Sequence, residues 1–140
     1  KNGERCSCLM DENFKLEIIS PEKIIYSHDT RMVTLPSYEG DMSVLKNHIS
    51  IITFLRPGII KAQKAERYFE EFFVQDGTVE YFNDNLVVLS ASAINVKDLS
   101  REFIDNLNKD TKNKLAKKDI EDHDRYILNH KLDVIKDIRI

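Results

Sequence analysis

Two hydrophobic periods divide the chain. From Phe14 onward apolar and polar positions alternate: Phe14, Leu16 and Ile18 fall on one side, Lys15, Glu17 and Ile19 on the other. A period of two marks a strand whose two faces meet different surroundings. Ser20-Pro21 ends it, and short runs follow at Ile24–Tyr26, Arg31–Leu35, Ser50–Leu55, Ile59–Gln63, Glu70–Val74, Thr78–Phe82 and Leu86–Ser90. Pro36, Pro57-Gly58, Asp76-Gly77 and Asn83-Asp84-Asn85 punctuate them. Asp-Gly between two strand-like runs predicts a hairpin at Asp76 and Gly77, and Pro57 with Gly58 predicts a tight turn between strands. Strands interrupted roughly every eight to twelve residues predict an antiparallel β-sandwich or flattened barrel.

After Ala91 the period lengthens. Val96, Leu99, Phe103 and Leu107 share one helical face, with Asn95 as a candidate N-cap and Asp98 in the first turn. The polar stretch 109–118 is expected to hold a turn. Ile120, Ile127, Leu128, Ile135 and Ile138 then mark a second amphipathic helix. Two such helices joined by a short turn form an αα-hairpin. The expected fold class is therefore β + α: an antiparallel β-sandwich over 14–93, then a two-helix antiparallel hairpin over 94–140. Residues 1–13 are polar, lack a period and read as a disordered or extraneous leader, with Met10 a plausible start.

Composition narrows the classes. Net charge is −3, with 41% apolar and 32% charged residues, so no basic excess suggests nucleic acid as a partner. No apolar run approaches the roughly 20 residues of a membrane span, and the first residues do not have the charged-then-apolar pattern expected of a signal peptide. Any membrane association is expected to be indirect. Cys6 and Cys8 are too close for an easy mutual disulfide and too few for a structural zinc site.

The sequence offers no catalytic constellation. There is no phosphate-cradling GxxxxGK[ST] loop, GxSxG elbow or HExxH pair. His123 and His130 share a helical face without a third ligand, and are expected to be solvated. A metal site using His28 or His48 is the rival reading. Glu70 and Glu71 point to opposite faces of a strand. Glu39 and Asp41 share a face and read as loop solvation or as a docking contact. The Val96–Leu107 stripe reads first as core, and second as a face that could exchange partners. No enzyme activity, cofactor or metal is expected.

The stretch from Met32 to Ile60 resembles the signature of the ATP synthase epsilon family, close to VTLPGxEGExGVLPGHAPLLTxLxPGxI. Glu39-Gly40, His48 and Pro57-Gly58 fall at the family's offsets. Phe14–Glu22 resembles the family's first strand and turn, and Ala91–Leu99 its junction into a helical hairpin. The resemblance implies a β-sandwich and helical hairpin, as the periodicity does. It further implies a non-catalytic central-stalk subunit that joins the gamma subunit to the membrane ring and conditionally reaches the alpha/beta catalytic head. The expected location is the cytoplasmic face of a bacterial inner membrane, with the matrix side of the mitochondrial inner membrane as the alternative.

Carried over by position, Glu39, Gly40, Asp41 and Met42 would face the ring, and His48 and Ile49 would face gamma. Ser37, Ser43 and Lys46-Asn47 depart from the family's Gly, Gly and Pro-Gly. Leu99-Ser100-Arg101-Glu102-Phe103-Ile104 lacks the Asp, Arg and Ala of the [IL]DxxRA motif, which argues against ATP binding there. Those lost loop residues also motivate a second reading, a free-standing β-sandwich module that binds another protein.

Overall fold

The computed structural model describes residues 13–138. The expected leader, and with it Cys6 and Cys8, lies outside the described residues except for Asn13. The strands are β1 (Phe14–Ile19), β2 (Ile24–Thr30), β3 (Met32–Ser37), β4 (Gly40–Leu45), β5 (Ile51–Leu55), β6 (Gly58–Ala65), β7 (Tyr68–Val74), β8 (Gly77–Phe82), β9 (Asn85–Leu89) and β10 (Ile94–Asn95). A 3₁₀ turn, Val96–Asp98, leads to α1 (Arg101–Leu115) and α2 (Asp122–Asp137).

Pairing sorts the strands into two layers, β4-β3-β6-β7-β10 and β5-β8-β9-β1-β2. Most pairs are antiparallel; β1 and β9 run parallel. The inward positions of both layers meet in one core that includes Leu16, Ile18, Val33, Leu35, Ile60, Phe72, Val79 and Tyr81. Each fully buried Leu, Ile or Phe there contributes on the order of 1.5–3 kcal/mol.

Two of the places where the chain changes layer are turns that the sequence marks, one of them as a hairpin. Asp76-Gly77 does not close a hairpin: β7 pairs with β6 and β10, whereas β8 pairs with β5 and β9. Side chains hold this corner. The Ser90 hydroxyl donates to the Asp76 carbonyl at 2.7 Å, and the Gln75 amide donates to Ser92 Oγ at 3.0 Å. A Cβ on Gly77 would stand 2.7 Å from the Leu89 carbonyl oxygen, so only glycine fits.

Pro57-Gly58 is the second corner. Ser37 pairs with Leu55 of β5, while Met32–Thr34 pair with β6, so β3 spans both layers. A Cβ on Gly58 would lie 2.4 Å from Pro36 Cβ. The one tight hairpin turn that the punctuation placed correctly is Asn83-Asp84, both left-handed at φ 53° and 61°.

Three further elements differ from the periodicity reading. β4 is missing from it, because Gly40–Leu45 carries polar Asp41 and Ser43 on its outward side and only Val44 is fully buried. The stretch 109–115 continues α1, and the interhelix turn is 116–121. Asn95 caps the 3₁₀ turn by accepting from Lys97 N at 2.9 Å, whereas Ser100 caps α1 by accepting from Phe103 N at 3.1 Å. Val96 and Leu99 therefore precede the helix, and Ile120 precedes α2. The stripe still works as a packing surface.

Candidate functional site

Each layer has an outer face, and the two faces differ in what covers them. On the β6–β7 layer, Ile59, Phe73 and Ile94 point away from the main core. Over them lie Val96, Leu99, Phe103, Ile104 and Leu107 from the link and α1, with Val134, Ile135 and Ile138 from the C-terminal helix and its end. This second apolar cluster seats the hairpin on the sandwich. Ile127 is half-buried but lies with Ile120 and Leu128 in a shallow depression at the far end of the hairpin. Those expected stripe residues therefore do not join the seat.

The outer face of the β5–β8–β9–β1–β2 layer carries no covering element among the described residues. Its register aligns Phe54, Thr78, Leu89, Ile19 and Ile24 in one row across five strands. The adjacent row is Ile52, Glu80, Val87, Glu17 and Ser27. Ile52 is 71% exposed and Phe54 60%, and Ile24, Leu89 and Phe82 are also exposed. The row is apolar except for Thr78 and lies beside the Glu80 and Glu17 carboxylates.

His48 and Ile49 sit just before β5. Ile49 is the most exposed large apolar residue among those described, at 77%. The His48 ring N–H donates to the Ile49 carbonyl at 2.7 Å, and the ring meets the edge of Tyr81 at a centroid distance of 5.8 Å. Asn47 is left-handed at φ 68°, the geometry that asparagine tolerates best among non-glycine residues. Its amide donates to Asp84 Oδ1 at 3.0 Å, which also accepts from the Tyr81 hydroxyl at 2.8 Å. The Tyr81 bond, with the Asn47 amide, holds the Asp84 carboxyl below its ordinary range, while burial and the same Asp84 push the Tyr81 phenol up.

The β3–β4 hairpin carries the acidic tip. Tyr38 and Glu39 form its turn, and Ser37 Oγ donates to the Gly40 carbonyl at 2.7 Å. Glu39 and Asp41 are exposed. Met42, expected beside them, instead packs against the main core, because alternation turns it inward. That leaves Glu39, Gly40 and Asp41 available at the tip.

The tip also meets α2, which the sequence did not suggest. Arg56 at the corner ion-pairs with Asp41 at 3.8 Å and donates to the Tyr126 hydroxyl at 3.0 Å. The rings of Tyr38 and His123 lie 5.9 Å apart, and Tyr126 stacks on His130 at 6.3 Å. Of these, Asp41, Arg56 and His130 line an open cleft of about 640 Å³ between α2 and the β3–β6 surface, with Lys61, Glu71 and Asp137. Burial, then the Arg56 charge, holds the His130 imidazole below its ordinary value, against the pull of Asp133, Asp41 and a hydrogen bond to the Pro57 carbonyl.

Among the described residues, no three His, Cys, Asp or Glu side chains gather as a metal site. Glu70 pairs with Lys64 and Lys97, and Glu71 with Lys61, so both carboxylates are engaged in surface ion pairs. No helix among these residues is long and apolar enough to cross a membrane.

The fold is a β-sandwich that carries a helical hairpin on one outer face and, among the described residues, leaves the other bare. Comparison with known proteins gives its family. Residues 13–96 match the family described as ATP synthase, Delta/Epsilon chain, beta-sandwich domain. The chain is 42% identical over 130 residues to the ATP synthase epsilon chain of Pelagibacter ubique, covering 91% of this chain and 98% of the relative. It is 31% identical over 134 residues to the epsilon chain of Parvibaculum lavamentivorans, covering 93% and 98%. Among solved structures, it resembles a chain of the Euglena gracilis mitochondrial ATP synthase OSCP/F1/c-ring complex. The TM-score is 0.69 at 15% identity, over 89% of this chain and 78% of that one. A chain from the Tetrahymena thermophila mitochondrial ATP synthase central stalk and c-ring gives 0.62 at 13% identity, over 87% and 92%. The chain belongs to the ATP synthase delta/epsilon family, and its function is that of an epsilon-type subunit of the synthase.

Proposed function

We propose that the chain is a non-catalytic subunit of the central stalk, docked on the gamma subunit by its bare β5–β8–β9–β1 face and on the membrane ring by the β3–β4 tip. The observation that carries this reading is the apolar row from Phe54 to Ile24, left uncovered in a chain whose other outer face is covered by its own helices. An apolar centre flanked by Glu17 and Glu80 suits a gamma surface with apolar residues ringed by Lys or Arg. His48 and Ile49 extend the face at the entrance to β5. Glu39 and Asp41 suit polar or Arg-bearing ring loops, where carboxylates accept strong charge-assisted bonds.

In this arrangement the chain passes ring rotation to gamma and the catalytic head without bond chemistry of its own. Control of ATP hydrolysis would rest with the α1–α2 hairpin, which could leave its seat for the alpha/beta head. The alphaproteobacterial relatives favour the cytoplasmic face of a bacterial inner membrane, with membrane association only through the ring. Titration of the full chain against purified gamma tests the reading. Binding should occur at micromolar concentrations or below, and Ile52→Glu with Phe54→Glu should abolish it while the circular dichroism spectrum stays unchanged. A folded wild-type chain that fails to bind gamma would sink the proposal.

A further inference from the structure

The acidic tip and the helical hairpin share a single cation. Arg56 stands at the corner between β5 and β6, with its side chain 17% exposed. One of its terminal nitrogens faces the Asp41 carboxylate, which is 75% exposed, and the other donates to Tyr126 of α2. Its Nε is buried without a hydrogen-bond partner. Tyr38, in the turn of the same tip, lies against His123 of α2. The seat of α2 therefore rests partly on two residues of a hairpin tip whose other side faces solvent.

Seating α2 moves the Arg56 guanidinium away from water. Tyr126 returns one neutral acceptor, and Asp41 supplies the nearest opposite charge to the guanidinium. A buried or half-buried cation that loses its carboxylate becomes costly to keep desolvated. Any partner that draws Asp41 outward, or displaces Tyr38 from His123, removes support from the seated helix and gives nothing back to it.

We propose that partner binding at the Tyr38–Asp41 tip and seating of the α1–α2 hairpin are negatively linked through Arg56: occupation of the tip loosens α2, and a seated α2 weakens the tip's hold on its partner. This rests on the reading of the tip as the ring contact. Linkage is reciprocal, so both directions carry the same factor. The other charged and titratable groups bordering the cleft are Lys61 and Glu71 on the sheet, and His130, Asp133 and Asp137 on α2. Lys61 and Glu71 already pair with each other at 4.0 Å, so they do not replace Asp41 at Arg56.

Amide hydrogen exchange across 122–137 reads the seating directly. In the isolated full chain, Asp41→Asn should speed exchange in α2 severalfold, within the roughly 5–150-fold range of linked sites, and leave β8 and β9 unchanged. Tyr126→Phe, which spares the tip, should speed α2 as well. It should also tighten binding of the chain to the purified, detergent-solubilised membrane ring. Adding that ring to the wild-type chain should accelerate exchange in α2. Unchanged α2 exchange in both Asp41→Asn and Tyr126→Phe would overturn the shared-cation latch, whatever the ring does. Ring binding that leaves α2 exchange unchanged or slows it would overturn the linkage while preserving the tip as the ring contact. A ring that does not bind the wild-type chain would overturn the tip assignment and the linkage with it.

Discussion

Phe73 and Phe54 both stand on outer faces of the sandwich, one on each layer. Phe73 is fully buried beneath the helical hairpin, and Phe54 is largely open to solvent. Each has an apolar neighbour that faces the main core, Phe72 beside Phe73 and Leu55 beside Phe54, so this local pairing does not account for the difference. What separates them is the reach of the chain. The link after β10 runs directly over β7, and α1 and α2 fold back on that layer alone. The covered face is satisfied within the subunit. The bare face keeps its apolar row for something outside it.

Removing the anchor of the covered face should have the largest effect. Phe73→Ala is expected to cost about 3–5 kcal/mol of stability, through lost burial and the cavity left behind. Urea titration followed by circular dichroism measures it, and a loss below 1 kcal/mol would show the hairpin seat to be loose. The matching change on the other face, Phe54→Ala, should barely alter stability yet cost about 2 kcal/mol of affinity for gamma, as aromatic anchors at interfaces do. Calorimetric titration checks this, and equal effects of the two changes on stability would erase the distinction between the faces.

Smaller effects sharpen the same contrast. Ser100→Ala removes the cap of α1 and should cost about 1 kcal/mol. Faster amide exchange should appear in α1 and not in β8, and exchange spread evenly over the chain would contradict an independent hairpin. The smallest effect is in pH. His130 has a folded-state value below its ordinary 6.5, so the unfolded or detached state binds the proton more readily. The contribution is therefore intact above 6.5 and is lost as pH falls through the lower folded value. Thermal melts between pH 7.5 and 5 should show a mild extra loss in wild type that His130→Gln lacks. An identical pH slope in both chains would remove His130 from the seat.

Much of this was legible in the sequence for local reasons. Alternation at Phe14–Ile18 and Thr78–Phe82 reports two-sided strands, because neighbouring side chains must point to opposite faces. Asn83-Asp84 reports a left-handed two-residue turn, since few residues tolerate that backbone. β4 stayed hidden because its inward signal is only two residues, Met42 and Val44, and outward Leu45 breaks the alternation. The contact of the tip with α2 was also hidden. It joins Asp41, Arg56 and Tyr126, which have no periodic relation along the chain.

The sequence by itself determined the order of strands before helices, the apolar stripes, and the Met32–Ile60 pattern that marks the family. Each is a matter of neighbouring residues and their spacing. Tertiary structure alone decided that Asp76-Gly77 and Pro57-Gly58 carry the chain between layers, because the strands on either side of each turn pair with other strands and not with one another. It decided which outer face is covered, because that depends on where the link after Asn95 directs the helices. It also decided that Arg56 serves the acidic tip and α2 together, since a corner residue's neighbours in space are set by the fold around it.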